Sequence, residues 1–240
     1  MAQLLLLLLL LWADFTVGDV HKRIIGGQPC QPDERQYHVL LRARDTLNND
    51  VDFCGGSLIS DQWILTASHC WYSEPGWTMR ANLTVHPGPG LDVPLQNDPQ
   101  HRIPFIDNQG QHDIMLLRLT TPVNNPHTIP VPACNDANAA RLRNVNNHES
   151  VQIAGKAATH AGPGNVKDPA EEPEPDLQCV DVNVADCRVI THQFPGQTPI
   201  QNQHHFCGQG SDVDACVGDS GGGVVYGGKI YGVISTIDQR

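Results

Sequence analysis

Basic side chains are scarce in this chain of 240 residues. Lysine and arginine together number 15 against 26 acidic residues, so the formal net charge is −11. No basic stripe is available to follow a nucleic-acid backbone, and nucleic acid is therefore not expected as a partner. The 12 histidines are scattered without the spacing of metal ligands, and we expect no metal and no other cofactor. With 40% hydrophobic residues, the chain can bury a substantial core.

The chain also has no hydrophobic run that is long enough to cross a membrane. Leu4 to Leu11 are all leucine and Trp12 follows, whereas a membrane span needs about 20 apolar residues. A short apolar block followed by small residues is typical of a secretory signal peptide, which we place at residues 1–18. A buried core helix is the alternative, but identical leucines show no amphipathic period. We therefore expect a secreted, extracellular protein, in which disulfides persist.

No long amphipathic helix is evident, and short extended segments separated by turns take its place. Residues 36–44 are extended in character, and the turn Ser60-Asp61-Gln62 interrupts an apolar run over residues 55–65. Gly227-Gly228 lies between two apolar segments, which is a strong β-hairpin signal. The proline-rich residues 121–132 fit a connection between two halves. These features predict an all-β fold.

Residues 218–222 read Gly-Asp-Ser-Gly-Gly, which fits the G-x-S-x-G pattern around nucleophilic serines. An α/β-hydrolase esterase would need a helix directly after Ser220 and its partners in the order Ser, Asp, His. Here glycines and a hairpin follow Ser220, and the candidate partners His69 and Asp113 lie upstream. The order His, Asp, Ser is found in a different fold that uses the same three residue types for nucleophilic catalysis.

Four motifs carry a resemblance to a known family. They are Arg23-Ile24-Ile25-Gly26-Gly27, Leu65-Thr66-Ala67-Ser68-His69-Cys70, His112-Asp113-Ile114-Met115-Leu116-Leu117 and Gly218-Asp219-Ser220-Gly221-Gly222. On these motifs the chain from about Arg23 to Ser235 resembles the chymotrypsin-like (trypsin-fold) serine peptidase family. The resemblance implies two six-stranded antiparallel β-barrels, the first over about 24–120 and the second over about 133–240. Because the sequence stops at Arg240, we expect the second barrel to be incomplete and the family's C-terminal helix to be missing.

The same resemblance implies a catalytic triad. His69 would be the general base that takes the proton of the nucleophile Ser220, and Asp113 would fix the imidazole tautomer. The backbone N–H groups of Gly218 and Ser220 would form the oxyanion hole. The implied activity is that of a serine endopeptidase, a hydrolase that acts on proteins or peptides.

Specificity is implied by two further residues. Asp214 matches the trypsin-type residue at the base of the primary pocket, where a buried carboxylate would pair with Arg or Lys of the substrate. Ser235 matches the substrate-binding strand. The loop 162–176 carries five acids and one lysine, and it is either a solvated surface excursion or a feature that favours basic substrate stretches.

Activation has its own implied signature. Cleavage after Arg23 would expose the α-amino group of Ile24, which would form a buried ion pair with Asp219. Residues 19–23 would then be a short activation peptide and residues 24–240 the peptidase domain. The resemblance thus implies a zymogen, with an activating protease and protease inhibitors as further partners.

The chain has 8 cysteines. The resemblance implies the disulfides Cys30–Cys179, Cys54–Cys70 and Cys187–Cys207, and it leaves Cys134 and Cys216 over. The sequence Asn82-Leu83-Thr84 is a possible glycosylation site in an exported chain.

The sequence departs from the family pattern at several positions. Thr236 and Ile237 stand where tryptophan and glycine are usual, Gly223 replaces a proline, and Lys156 stands where tryptophan is common. Ser68 replaces an alanine, a change from which we expect no consequence. The missing pocket wall and strand leave an alternative open, a catalytically impaired homologue that acts as a binding or regulatory protein.

Overall fold

The computed structural model describes residues 27–83, 86–88, 90–108, 110–124, 126–145, 148–156, 176–187, 205–210, 215 and 218–235. Within these residues the chain forms two antiparallel β-sheets, of seven and six strands. The predicted all-β fold is confirmed. No helix in the described part of the chain is long and apolar enough to cross a bilayer.

The first sheet has seven strands in the order β6-β5-β2-β3-β4-β8-β7. They are β2 (His38–Arg44), β3 (Asp50–Leu58), β4 (Trp63–Thr66), β5 (Thr78–Leu83), β6 (Leu91–Pro94), β7 (Arg102–Asp107) and β8 (Gly110–Arg118). The turn predicted at residues 60–62 separates β3 from β4. One strand more than the predicted six is present because the short, mostly exposed β6 pairs with β5.

Alternating side chains from these strands build the first core. Along β5 and β4 every second residue is buried, as expected for strands with one face turned towards a core. Leu41, Ile64, Leu83 and Leu117 are at most 1% exposed and lie at its centre. The cluster also contains Cys54 and Cys70, so the disulfide between them is anchored in the core of the first sheet.

The second sheet follows the path β1-β10-β9-β12-β13, with β11 also paired to β10. The strands are β1 (Gln28–Pro29), β9 (Ser150–Gly155), β10 (Gln178–Ala185), β11 (Cys207–Gln209), β12 (Gly223–Tyr226) and β13 (Lys229–Val233). Its path does not close on itself within the described residues. The core of this sheet is aliphatic and includes Val151, Ile153 and Val224.

The predicted hairpin at Gly227-Gly228 is confirmed, because these residues join β12 to β13 with φ of 53° and 74°. Positive φ at both central positions is what a two-residue hairpin of this kind requires. A seven-residue helix, α1 (Ala137–Arg143), follows the proline-rich connection. Asp136 caps α1 through the N–H of Asn138 at 2.9 Å and also binds Lys229 Nζ at 2.6 Å, which fastens the hairpin to the helix.

Three disulfides are present, Cys30–Cys179, Cys54–Cys70 and Cys187–Cys207. They are the same pairs that the family resemblance implies. Cys134 is exposed and is the free cysteine among the described residues, while Cys216 lies outside them. Asn82 of the possible glycosylation site lies in β5 between two paired strands, and a β-carbon at Gly90 would come within 2.0 Å of its Oδ1. Such close packing is unfavourable for a glycan on the folded chain.

Candidate active site

The register of β4 and β8 brings two of the predicted residues together. The last pair of this ladder is Thr66 with Met115. Beyond Thr66 the chain turns into a short 3₁₀ segment over Ser68–Cys70, which contains His69, and two residues before Met115 lies Asp113. Sequence motifs 44 residues apart thus become neighbours at one end of the first sheet.

His69 and Asp113 contact each other at two points. The backbone N–H of His69 donates to Asp113 Oδ1 at 2.9 Å, and His69 Nδ1 lies 2.8 Å from Asp113 Oδ2. The His69 side chain is 42% exposed and the Asp113 side chain 24%. The imidazole is therefore anchored on its inner edge and open to solvent on its outer one.

Ser235 gives the Asp113 carboxylate a third donor. Its hydroxyl lies 2.5 Å from Asp113 Oδ2, immediately beyond β13. Burial raises the pKa of Asp113, but hydrogen bonds from the His69 side chain, Ser235 and the His69 backbone outweigh that effect and lower the pKa to about 2. Asp113 is thus held ionised. The family resemblance implied only a substrate-binding role for Ser235 and did not reveal this contact.

The Ser220 loop is held by backbone hydrogen bonds on both sides. The N–H of Gly55 in β3 donates to Ser220 O at 2.7 Å, and the N–H of Gly221 donates to Ile234 O at 2.7 Å. Gly218 and Gly221 have φ of 102° and 79°, a conformation that favours glycine. A β-carbon at Gly221 would lie 2.3 Å from Thr66 Oγ1, so the loop also packs closely against the end of β4.

The Cys54–Cys70 disulfide lies close to both His69 and the Ser220 loop. His69 Nε2 lies 3.9 Å from Cys70 Sγ, and a β-carbon at Gly221 would lie 3.1 Å from the same sulfur. No hydrogen bond joins Ser220 Oγ to His69 in the described part of the chain. In unliganded enzymes such contacts are often long and tighten only with substrate. The role of Ser220 as the partner of His69 therefore stays a prediction.

The backbone amides predicted to form the oxyanion hole are not engaged in backbone pairing. Among the described residues, the N–H groups of Gly218 and Ser220 have no backbone acceptor, whereas Gly222 N–H donates to Asp219 O at 3.0 Å. Free amides are what an oxyanion hole requires, and the role of these two groups stays a prediction.

Buried charged and titratable groups lie behind this loop. Asp219 is completely buried, and a β-carbon at Gly155 would lie 1.8 Å from its Oδ1. The next residue, Lys156, is 7% exposed. Burial lowers the pKa of His38 to about 3, with Arg35 and Lys156 adding to the effect. His38 is thus a neutral imidazole near Gly55, and the sequence had no signal for its burial.

One group of described side chains has the proximity of a metal site. Ligand atoms of Cys54, His69 and Cys70 all lie within 4.8 Å of one another. The two sulfurs are joined in a disulfide, and a thiolate is what zinc requires from cysteine. This group is therefore unsuited to hold a metal.

Several predicted site residues lie outside the described residues. They are Arg23, Ile24 and Asp214, together with the acidic loop up to residue 175. The signal and activation segments, residues 1–18 and 19–23, also lie outside. Their roles remain predictions.

Comparison with known proteins agrees with the fold. The family model for trypsin matches residues 24–240. The trypsin of Xenopus laevis is 30% identical over 243 residues, which cover 97% of this chain and 87% of that protein. The anionic trypsin of Canis lupus familiaris is also 30% identical, over 98% of this chain and 87% of its own length.

A third relative, which is not named a trypsin, has a similar degree of identity. The thrombin-like enzyme CPI-enzyme 2 of Gloydius ussuriensis is 29% identical over 88% of this chain and 76% of its own length.

Two antiparallel sheets with a His–Asp pair at the end of one of them define a chymotrypsin-fold serine peptidase. The chain belongs to the trypsin family.

Proposed function

We propose that this chain is the precursor of a secreted serine endopeptidase that hydrolyses peptide bonds after Arg or Lys. The observation that carries the proposal is the two-point contact between His69 and Asp113, with Nδ1 at 2.8 Å from Oδ2. A carboxylate on Nδ1 holds the proton there and leaves Nε2 free to accept one. Ser220 is proposed as the group that donates it, and family membership supports this assignment.

The proposed reaction proceeds through an acyl-enzyme. Ser220 Oγ attacks the scissile carbonyl carbon while its proton moves to His69 Nε2, and the carbonyl oxygen gains negative charge. The N–H groups of Gly218 and Ser220 stabilise that charge. His69 then gives the proton to the leaving amine, and a water molecule hydrolyses the acyl-enzyme by the same steps, so that Ser220 regains its proton.

Activation and specificity belong to the same proposal. Asp219 is completely buried, and a positive charge nearby stabilises a buried carboxylate. The α-amino group of Ile24, released by an activating protease after Arg23, is proposed to supply it. Asp214 is proposed to bind the Arg or Lys side chain of the substrate.

Peptide cleavage after activation tests this proposal. The chain, expressed from residue 19 and cleaved after Arg23 by added trypsin that is then removed, is offered matched peptides with Arg, Lys, Leu or Glu before the scissile bond. We expect cleavage of the Arg and Lys peptides only, and Asp214→Ser should abolish it. Asp212→Ser is the control, because it removes an acid from the same segment and should leave the preference unchanged. No cleavage of any peptide by a folded, activated chain would favour the binding or regulatory homologue instead.

A further inference from the structure

The Ser68 side chain makes two hydrogen-bond contacts that we did not expect from the replacement of alanine by serine at this position. Its Oγ lies 3.1 Å from the carbonyl oxygen of His112 and 2.9 Å from that of Ile114. These two carbonyls flank Asp113 on either side. The expectation that serine at this position has no consequence is therefore wrong, since an alanine could make neither contact.

The two acceptors lie where the register between β8 and its neighbouring strands is interrupted. On one side, the pairing of β8 with β4 ends at Met115. On the other side, the pairing of β8 with β7 shifts between Pro104, opposite Met115, and Ile106, opposite Gln111. The registered pairs of β8 with β4 and β7 thus lie on either side of residues 112–114. Alternate carbonyls of a strand face the same edge, and here both face the Ser68 hydroxyl.

The Ser68 contacts add to the hydrogen bonds between the 3₁₀ segment Ser68–Cys70 and residues 112–114 of β8. The 3₁₀ segment donates the Ser68 hydroxyl to the backbone on both sides of Asp113 and the His69 N–H to its carboxylate. A hydroxyl has one proton, so the two carbonyls share it. Without the Ser68 hydroxyl, both contacts to the backbone beside Asp113 would be lost, and the two contacts of the Asp113 carboxylate with His69 would remain.

We propose that Ser68 is a positioning residue, which locks the backbone of Asp113 against the His69 segment and so fixes the geometry of the carboxylate–imidazole pair. The inference rests on the proposed function, because that pair needs fixing only if it transfers a proton. Ser68 itself touches no substrate. Its effect should therefore fall on kcat and leave KM unchanged.

The test compares Ser68→Ala, Ser68→Thr and Ser68→Val with Ser150→Ala as matched control. Thr keeps the hydroxyl and Val has the same shape without it, so this pair decides the question even if the Ala variant folds poorly. Ser150 Oγ also contacts a backbone carbonyl, that of Val182 at 3.3 Å, but in the second sheet. Reaction with a fluorophosphonate is followed over time, because its rate constant does not depend on the folded fraction. The NMR signal of the His69 Nδ1 proton is recorded in a Ser220→Ala background.

Loss of one shared hydrogen bond should lower the rate constant and kcat by about five-fold in the Ala and Val variants. Their Nδ1 proton signal should shift and broaden, whereas the Thr and Ser150→Ala variants should match the parent. Unchanged rates and an unchanged signal in Ser68→Val would overturn the proposal. If the parent chain reacts with no fluorophosphonate, the proposed function fails, and the NMR comparison still decides whether Ser68 positions the pair.

Discussion

The Asp113 carboxylate holds His69 by both of its oxygens, with Oδ1 on the backbone N–H at 2.9 Å and Oδ2 beside Nδ1 at 2.8 Å. The Ser235 hydroxyl reaches the same Oδ2. One contact thus fixes the backbone of His69, and the other fixes the orientation of its imidazole ring. Because Asp113 engages Nδ1, Nε2 is the ring nitrogen left to accept a proton from a nucleophile.

Replacing Asp113 by Asn should lower kcat by about 10⁴-fold with little loss of folding. The amide cannot accept from His69 as the carboxylate does, so the imidazole loses both its tautomer and its stabilising charge. Asp98→Asn is the matched control, because Asp98 Oδ2 makes a similar 2.8 Å contact with Nδ1 of His101 in the β6–β7 connection. Peptide hydrolysis per folded molecule checks both. Equal losses in the two variants would argue against a specific role for Asp113.

Acid should destabilise the folded chain through Asp113. The pKa of this group is lowered from 3.8 to about 2, so the stability it contributes is present above pH 4 and is lost as the pH falls towards 2. Urea unfolding from pH 5 to pH 2 should therefore show a smaller loss for Asp113→Asn than for the parent. Ser235→Ala should fall between them, because one donor that lowers the pKa is gone. Parallel curves for all three chains would contradict this role of Asp113.

Gly221→Ala should disrupt the Ser220 loop. Residue 221 has φ of 79°, and a β-carbon there would lie 2.4 Å from Gly55 O. Backbone strain and overlap together should cost about 3 kcal/mol or more, and the fluorophosphonate reaction should be lost. Gly228→Ala is the control, since φ is 74° but nothing lies within 4 Å of its β-carbon. It should cost only about 1 kcal/mol in unfolding free energy and keep full reactivity.

Removing the Cys54–Cys70 disulfide should affect both stability and the site. Its closed loop spans 16 residues, for which loop entropy predicts a loss of about 3 kcal/mol. The pair Cys187–Cys207, with a separation of 20, should give a similar loss when replaced by alanine. Only the first double variant should also react more slowly with a fluorophosphonate, because His69 contacts Cys70 Sγ. Equal reactivity of the two double variants would show that the disulfide does not support His69.

Features with a local cause were predictable from the sequence. The β12–β13 hairpin rests on two adjacent glycines, and the break between β3 and β4 rests on a polar turn within an apolar run. Strand β6 was missed because it is only 4 residues long and mostly exposed. Strand β6 forms by antiparallel pairing with the edge of β5.

The site was predictable only as a set of motifs. The resemblance named His69, Asp113 and Ser220, but the contacts that hold them depend on the fold. Ser68 and Ser235 reach Asp113 or its neighbours across 46 and 122 positions. No sequence pattern connects residues so far apart, since strand register decides which of them meet.

Covalent labelling of Ser220 tests the proposed function most directly. The chain cleaved after Arg23 is treated with a fluorophosphonate, and the modified residue is identified by peptide mass spectrometry. The reagent should be found on Ser220 alone, with no label after Ser220→Ala or before cleavage. A folded, cleaved chain that stays unlabelled would contradict the peptidase function.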